Sequence, residues 1–220
     1  RLEACQMVAE TYEGDAFDAL CAFCKVMCDD AKLLTGPIYG GNDWYCNYGD
    51  SSAEKILRHT RRIVECAPKD GPKPYMVIDD GWQVCARCTG PWYTGNQLFG
   101  DMGVLAKQIE QMGAIPGIWF RPLETMETVP SNFYLERDFD NVTLDPSVPG
   151  VLEMVKRDVK QIVAWGFKLI KHDFSSADIF GKWGFQMDDD LHYGQTRFAD
   201  RSRTTAEPSV GMILGSGLGD

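Results

Sequence analysis

The 220 residues are 44% hydrophobic and 25% charged, with a formal net charge of −10. That is the balance of an ordinary globular chain able to bury a substantial core. The acidity argues against nucleic acid or an anionic membrane as partner. No apolar run approaches a membrane span, and no signal-peptide pattern opens the chain. The cytoplasm is therefore the expected compartment, and a neutral or cationic small molecule is a compatible ligand.

Residues 1–36 read as largely helical and end at Thr35-Gly36-Pro37, a run that punctuates secondary structure. They are expected to form a first, helical unit ahead of residues 37–220. Pro37 to Tyr45 reads as a short strand with a polar end. Ser51-Ser-Ala-Glu54 is a capping box that opens a helix running to about Cys66. Tyr75 to Ile78 is a second strand, ending in Asp79-Asp80-Gly81-Trp82. A helix follows, with Leu105, Ile109 and Met112 on one face and Gly113 as its stop.

Ile115 to Phe120 is a third strand, closed by Arg121-Pro122. The next helix places Leu152, Val155, Val159 and Ile162 on one stripe and stops at Gly166. Phe167 to Ile170 is a fourth strand, ending Lys171-His172-Asp173, and Met212 to Gly215 a fifth. Pro208 breaks the helix expected before it. The chain lacks an initiator Met and covers four or five strands of an architecture that takes about 250 residues. Segments are thus expected to be missing upstream, around 207–210 and after 220.

Alternating strands and helices predict parallel strands joined by right-handed crossovers, either an open doubly wound sheet or a (β/α)₈ TIM barrel. The open sheet announces a nucleotide site with a glycine-rich turn after its first strand. Here that turn is Gly40-Gly41-Asn42-Asp43-Trp44, with neither glycine-rich nucleotide signature. The first four strands instead all end in aromatic and charged residues, as barrel strands do. The fold class is α/β, part of a (β/α)₈ barrel.

The eight cysteines invite a disulfide or zinc reading. Cys21-x2-Cys24 and Cys85-x2-Cys88 are far apart and have no histidine nearby. Cys21, Cys24 and Cys28 recur at i, i+3 and i+7 beside Phe17 and Leu20, the spacing of a buried helix face. Buried free thiols are the expectation, with a disulfide or an adventitious metal site as alternatives. Asn141-Val-Thr is a glycosylation sequon.

Side chains alternate along a strand, so Leu169, Lys171 and Asp173 share one face and His172 the other. With the first set pointing into the barrel, an ammonium stands beside a carboxylate at the rim and would hold it charged, as a nucleophile requires. A Lys–Asp pair that merely closes a strand end would look the same. Asp79 and Asp80 are adjacent carboxylates at the second rim position, suited to accept from sugar hydroxyls. A solvated acidic turn or a divalent-metal site are the alternatives. Trp44, Trp82 and Trp119 stand near the same rim, as sugar-facing walls or as barrel-plugging core.

Asn42-Asp-Trp-Tyr45, Ile78-Asp-Asp-Gly-Trp-Gln83, Pro116-Gly-Ile-Trp-Phe120, Leu144-Asp-Pro-Ser147 and Trp165 to Phe174 occur in that order. The set resembles the alpha-galactosidase (melibiase) superfamily, glycoside hydrolase families 27 and 36, over roughly residues 37–180. The resemblance implies a retaining alpha-glycosidase that uses no cofactor and acts on an oligosaccharide or glycoside. Asp173 would be the nucleophile, Lys171 would bind a hydroxyl and keep Asp173 charged, and Asp79 and Asp80 would hold hydroxyls across the ring. Trp44 and Trp119 would line the pocket, with Trp82 beside them. Arg121 stands where many relatives carry Glu, at a substrate-selecting position.

The family's acid/base Asp lies on a later strand, and no matching motif occurs before residue 220. A homo-oligomer is compatible, since large oligomers are common among relatives. The alternatives are a transglycosylase of raffinose-synthase type, a metal-dependent barrel hydrolase using Asp79, Asp80, His172 and Asp173, and a non-catalytic sugar-binding barrel.

Overall fold

Local signals start and stop each element. In the computed structural model, which describes residues 9, 11–28, 36–85, 88–135, 142–180 and 211–214, α1 (Ala16–Met27) belongs to a first unit, Arg1–Pro37. Asp15 caps it by accepting from the Phe17 N–H at 2.8 Å. The second unit, Ile38–Asp220, holds β1 (Gly40–Asn42), α2 (Trp44–Asn47), α3 (Ala53–Cys66), β2 (Tyr75–Ile78), α4 (Met102–Gln111), β3 (Ile115–Phe120), α5 (Pro149–Trp165), β4 (Leu169–His172), α6 (Ser175–Phe180) and β5 (Gly211–Leu214). Asp101 caps α4 through the Val104 N–H. Pro149 opens α5, and Gly166, at φ 101°, ends it in the left-handed conformation that glycine adopts at least cost.

The five strands are all parallel, in the order β1-β2-β3-β4-β5. A doubly wound sheet reverses its order at a switch point. Here the order never doubles back, the arrangement of a (β/α)₈ barrel wall. One register row runs through Asn42, Val77, Gly117, Leu169 and Gly211.

The two faces of the sheet have different neighbours. Met76, Ile78, Ile118 and Ile170 share one buried cluster with Ile56 of α3, Leu105 and Ile109 of α4 and Ile162 of α5. This is the apolar seam between wall and helices. On the opposite face a Cβ added at Gly117 would stand 2.9 Å from Val77 and 3.3 Å from Leu169, so both neighbours fill the space a side chain would need. The rim residues stand above this row.

Four expectations need correction: β1 is confined to Gly40–Asn42, with Trp44 and Tyr45 already in α2, and β4 lies two residues later than expected, at Leu169–His172. The α3 cap is Ser52, whose Oγ accepts from the Lys55 N–H at 3.2 Å, one residue later than the capping-box reading. Ser51 is buried and donates to Asp43 Oδ2 at 2.6 Å, so its hydroxyl is already engaged. Cys21, Cys24 and Cys28 are free but exposed, as are Cys46 and Cys66, and α1 has no buried residue. Helical spacing marks a stripe, but burial needs something packed on it. Cys5, Asn141 and the break at Pro208 lie outside the described residues. No helix among those residues is long and apolar enough to cross a membrane.

Candidate active site

β4 delivers two charges to the rim. Lys171 is its third residue, and Asp173 follows directly after its end. The Lys171 ammonium lies 2.8 Å from Asp79 Oδ2 and 3.5 Å from Asp173 Oδ2. The two carboxylate oxygens are therefore at most 6.3 Å apart, the sum of those legs. Both acidic side chains are almost fully buried, at 3% and 6% exposure, while Lys171 keeps 25%. The ammonium thus occupies the place between the carboxylates that a bound cation would take. His172 points elsewhere, to Ser175 Oγ, and burial lowers its pKa below the ordinary imidazole value. Among the described residues, no group of three or more His, Cys, Asp or Glu is placed to hold a metal ion.

Asp173 is aimed by three further contacts. Its N–H donates to Phe120 O at 3.0 Å, continuing the β3–β4 ladder past the end of β4. Its Oδ2 accepts from the Trp119 indole N–H at 2.9 Å, and its Oδ1 from the Phe174 N–H at 3.0 Å. Phe174 has φ 60°, an uncommon conformation for a bulky residue.

The β2 end holds the other carboxylates. Donors from three residues converge on Asp79: Lys171 and the Asn42 amide (2.5 Å) on Oδ2, and the Asp80 N–H on Oδ1. Its own N–H donates to Asp43 Oδ1 at 2.8 Å. Asp80 accepts from the Gln83 amide at 2.5 Å and from the Cys88 thiol. Burial and that hydrogen bond push the Cys88 thiol up to about 12, so it stays protonated at neutral pH. Gly81 makes the turn possible: its φ is 111°, and an added Cβ would stand 2.6 Å from Gly49 O.

The aromatic residues divide. Trp44 is half-buried beside Tyr48, with ring centroids 5.8 Å apart. Trp82, expected beside the pocket, is instead core: it has 0% exposure, packs on Trp92 and Trp165, and donates its indole N–H to Trp119 O. The segment after Asp80 folds back and carries Trp92 onto it. Trp119, expected to present a ring face, is 1% exposed. Its edge, through the N–H, is what reaches Asp173.

Arg121, expected to contact substrate, is committed to protein partners. It makes a forked pair with Asp178, with bonds of 2.6 and 3.1 Å, stands 3.6 Å from Glu124, and lies 4.7 Å over the Phe174 ring. Burial pushes the Asp178 carboxyl up to about 6 despite the guanidinium. Burial alone would lower Arg121, but Asp178 and Glu124 outweigh it and keep it raised. Both directions describe a pair that is charged at neutral pH.

Sequence reasoning did not find Asn42, Asp43, Gln83, Cys88 or Asp178 as supports of the carboxylates. Asn42 carried a usable signal, because alternation from the β1–β2 register puts it on the face of Val77 and Asp79. The others depend on loop paths.

No family model and no curated protein matches the chain. Among solved structures, it is similar to the Thermus thermophilus alpha-galactosidase TtGalA in complex with p-nitrophenyl alpha-D-galactopyranoside, at 24% identity and TM-score 0.58 over 77% of this chain. It is also similar to the GH36 alpha-galactosidase AgaA from Geobacillus stearothermophilus, at 22% identity and TM-score 0.51 over 63% of this chain. This chain shares their fold. It spans 35% of the length of TtGalA and 21% of AgaA.

Proposed function

We propose that the chain is the nucleophile-bearing part of a retaining alpha-glycosidase acting on terminal alpha-galactosides, with Asp173 as nucleophile. The observation that carries this reading is the Asp79–Lys171–Asp173 arrangement at the ends of β2 and β4, the parallel strands on either side of β3, where a barrel gathers its chemistry. One Asp173 oxygen attacks the anomeric carbon and the bond to the leaving oxygen breaks. A carboxyl from a later strand protonates that oxygen, and water then releases the sugar from its ester with Asp173.

In this reading Asp79 accepts from a sugar hydroxyl with the lone pairs that Lys171, Asn42 and the Asp80 N–H leave open on its two oxygens. Lys171 donates to a hydroxyl while balancing both carboxylates. Trp44, half-buried, offers a flat wall. That TtGalA has been seen with stachyose and a doubly substituted AgaA with raffinose supports oligosaccharides as the substrate class.

The test is Asp173→Asn in the full-length protein, assayed on an aryl alpha-galactoside with the fold checked by circular dichroism. Turnover should fall by roughly 10³-fold or more. Retained turnover in the folded variant would remove Asp173 from the mechanism.

A further inference from the structure

We propose that Arg121 and Asp178 form a clamp that holds Phe174 in its left-handed backbone conformation and thereby aims Asp173, so that both are positioning residues and neither is a substrate contact. The inference rests on Asp173 being the nucleophile of the reading above.

Four contacts close on Phe174. Its N–H donates to Asp173 Oδ1 at 3.0 Å, and its carbonyl accepts from the Asp178 N–H at 2.8 Å. Its ring lies under the Arg121 guanidinium, which forks onto the Asp178 carboxylate. It also meets Trp119 in a T-shaped contact, with centroids 6.5 Å apart, and Trp119 donates its indole N–H to Asp173.

A phenylalanine at φ 60° costs on the order of 1–3 kcal/mol and persists only where its surroundings over-determine it. The ion pair and the stack supply that determination. They also fix the spacing between the end of β3 and α6, the two segments that flank the nucleophile. A guanidinium suits this task because it can fork and stack at once, which an ammonium cannot do. With its fork on Asp178 and its face on Phe174, little of Arg121 is left for a ligand.

The test uses the full-length protein and the variants Arg121→Gln, Arg121→Lys, Asp178→Asn and the double Arg121→Gln/Asp178→Asn. kcat and KM are read on an aryl alpha-galactoside. In parallel, the indole N–H resonance of Trp119, identified by its loss in Trp119→Phe, reports on the bond to Asp173 without any turnover.

The clamp requires kcat to fall about 10- to 100-fold with KM changed less than about threefold, the effect of displacing a reacting group by an ångström or less. The Trp119 resonance should move in every variant, and the double variant should be no worse than the poorer single, because the two residues act as one unit. Arg121→Lys should resemble Arg121→Gln. If Arg121→Gln does not fold, Arg121→Lys and the isosteric Asp178→Asn carry the same comparison.

A KM raised tenfold at unchanged kcat would make Arg121 a substrate contact and overturn the clamp. Additive losses, full activity in Arg121→Lys, or an unmoved Trp119 resonance would overturn it too. Should Asp173→Asn keep turnover, the glycosidase reading falls, while the resonance still judges the clamp.

Discussion

The indole N–H of Trp119 donates to Asp173 Oδ2 at 2.9 Å, across 54 positions of sequence. Without that donor the buried oxygen keeps, among the described residues, only the more distant Lys171 ammonium, at 3.5 Å, against its desolvation. Trp119→Phe keeps most of the ring and removes the N–H. It should destabilise the fold by about 1–3 kcal/mol in urea denaturation and lower kcat more than it raises KM. A variant as stable and as active as the parent would show that the bond is incidental.

Lys171 is the one cation in contact with both Asp79 and Asp173 among the described residues. Lys171→Met, of similar length, leaves two nearly buried carboxylates facing each other without counter-charge. Breaking a buried pair from one side costs roughly 3–5 kcal/mol, and a loss of that order should appear in the urea midpoint. A loss below about 1 kcal/mol would place the trio in a far wetter setting than its burial indicates.

Asp158 of α5 is pushed up to about 6, chiefly by burial and in spite of its bond to Arg157, with Glu127 adding to the rise. A carboxyl raised in the folded state favours folding fully below its ordinary value of 3.8, and that contribution is lost as pH climbs through about 6. Stability of the parent should therefore decline between about pH 4 and pH 6 on this account, by on the order of 2–3 kcal/mol. Asp158→Asn should flatten the decline without abolishing it, since Asp178 is raised to the same region. Thermal melts across that range would detect it. An unchanged slope would mean that Asp158 is better solvated than its 4% side-chain exposure implies.

The thiols should react in two classes. Cys21, Cys24, Cys28, Cys46 and Cys66 are exposed and should be alkylated by iodoacetamide at pH 7.5. Cys88, held protonated against Asp80, should label at least tenfold more slowly until the protein is unfolded, because only the thiolate attacks. Peptide mass spectrometry reads each site, and equal labelling rates at Cys88 and Cys66 would contradict the placement of Cys88.

What the sequence carried well was whatever local periodicity and alternation encode. β3 begins and ends at the expected residues, and Gly166 stops α5 where a glycine stop was expected. Lys171 and Asp173 share a face because side chains in a strand repeat every two residues. Facts that depend on a loop's return path could not be read this way. Trp82 is core because Trp92 packs against it, and Cys88 meets Asp80 from eight positions further along the chain. Arg121 looked available because its partner, Asp178, is 57 residues away on a short helix with little sequence signature.

Asp43, 1% exposed, has one oxygen on the Asp79 backbone and the other on Ser51 and Asn47. A single carboxyl thereby pins the loop that bears Trp44 to the strand end that bears Asp79. The two cannot drift independently, so the spacing between Trp44 and the end of β2 is set by a side chain that is itself buried. A substitution at Asp43 would therefore loosen both segments at once, from a position that neither of them exposes.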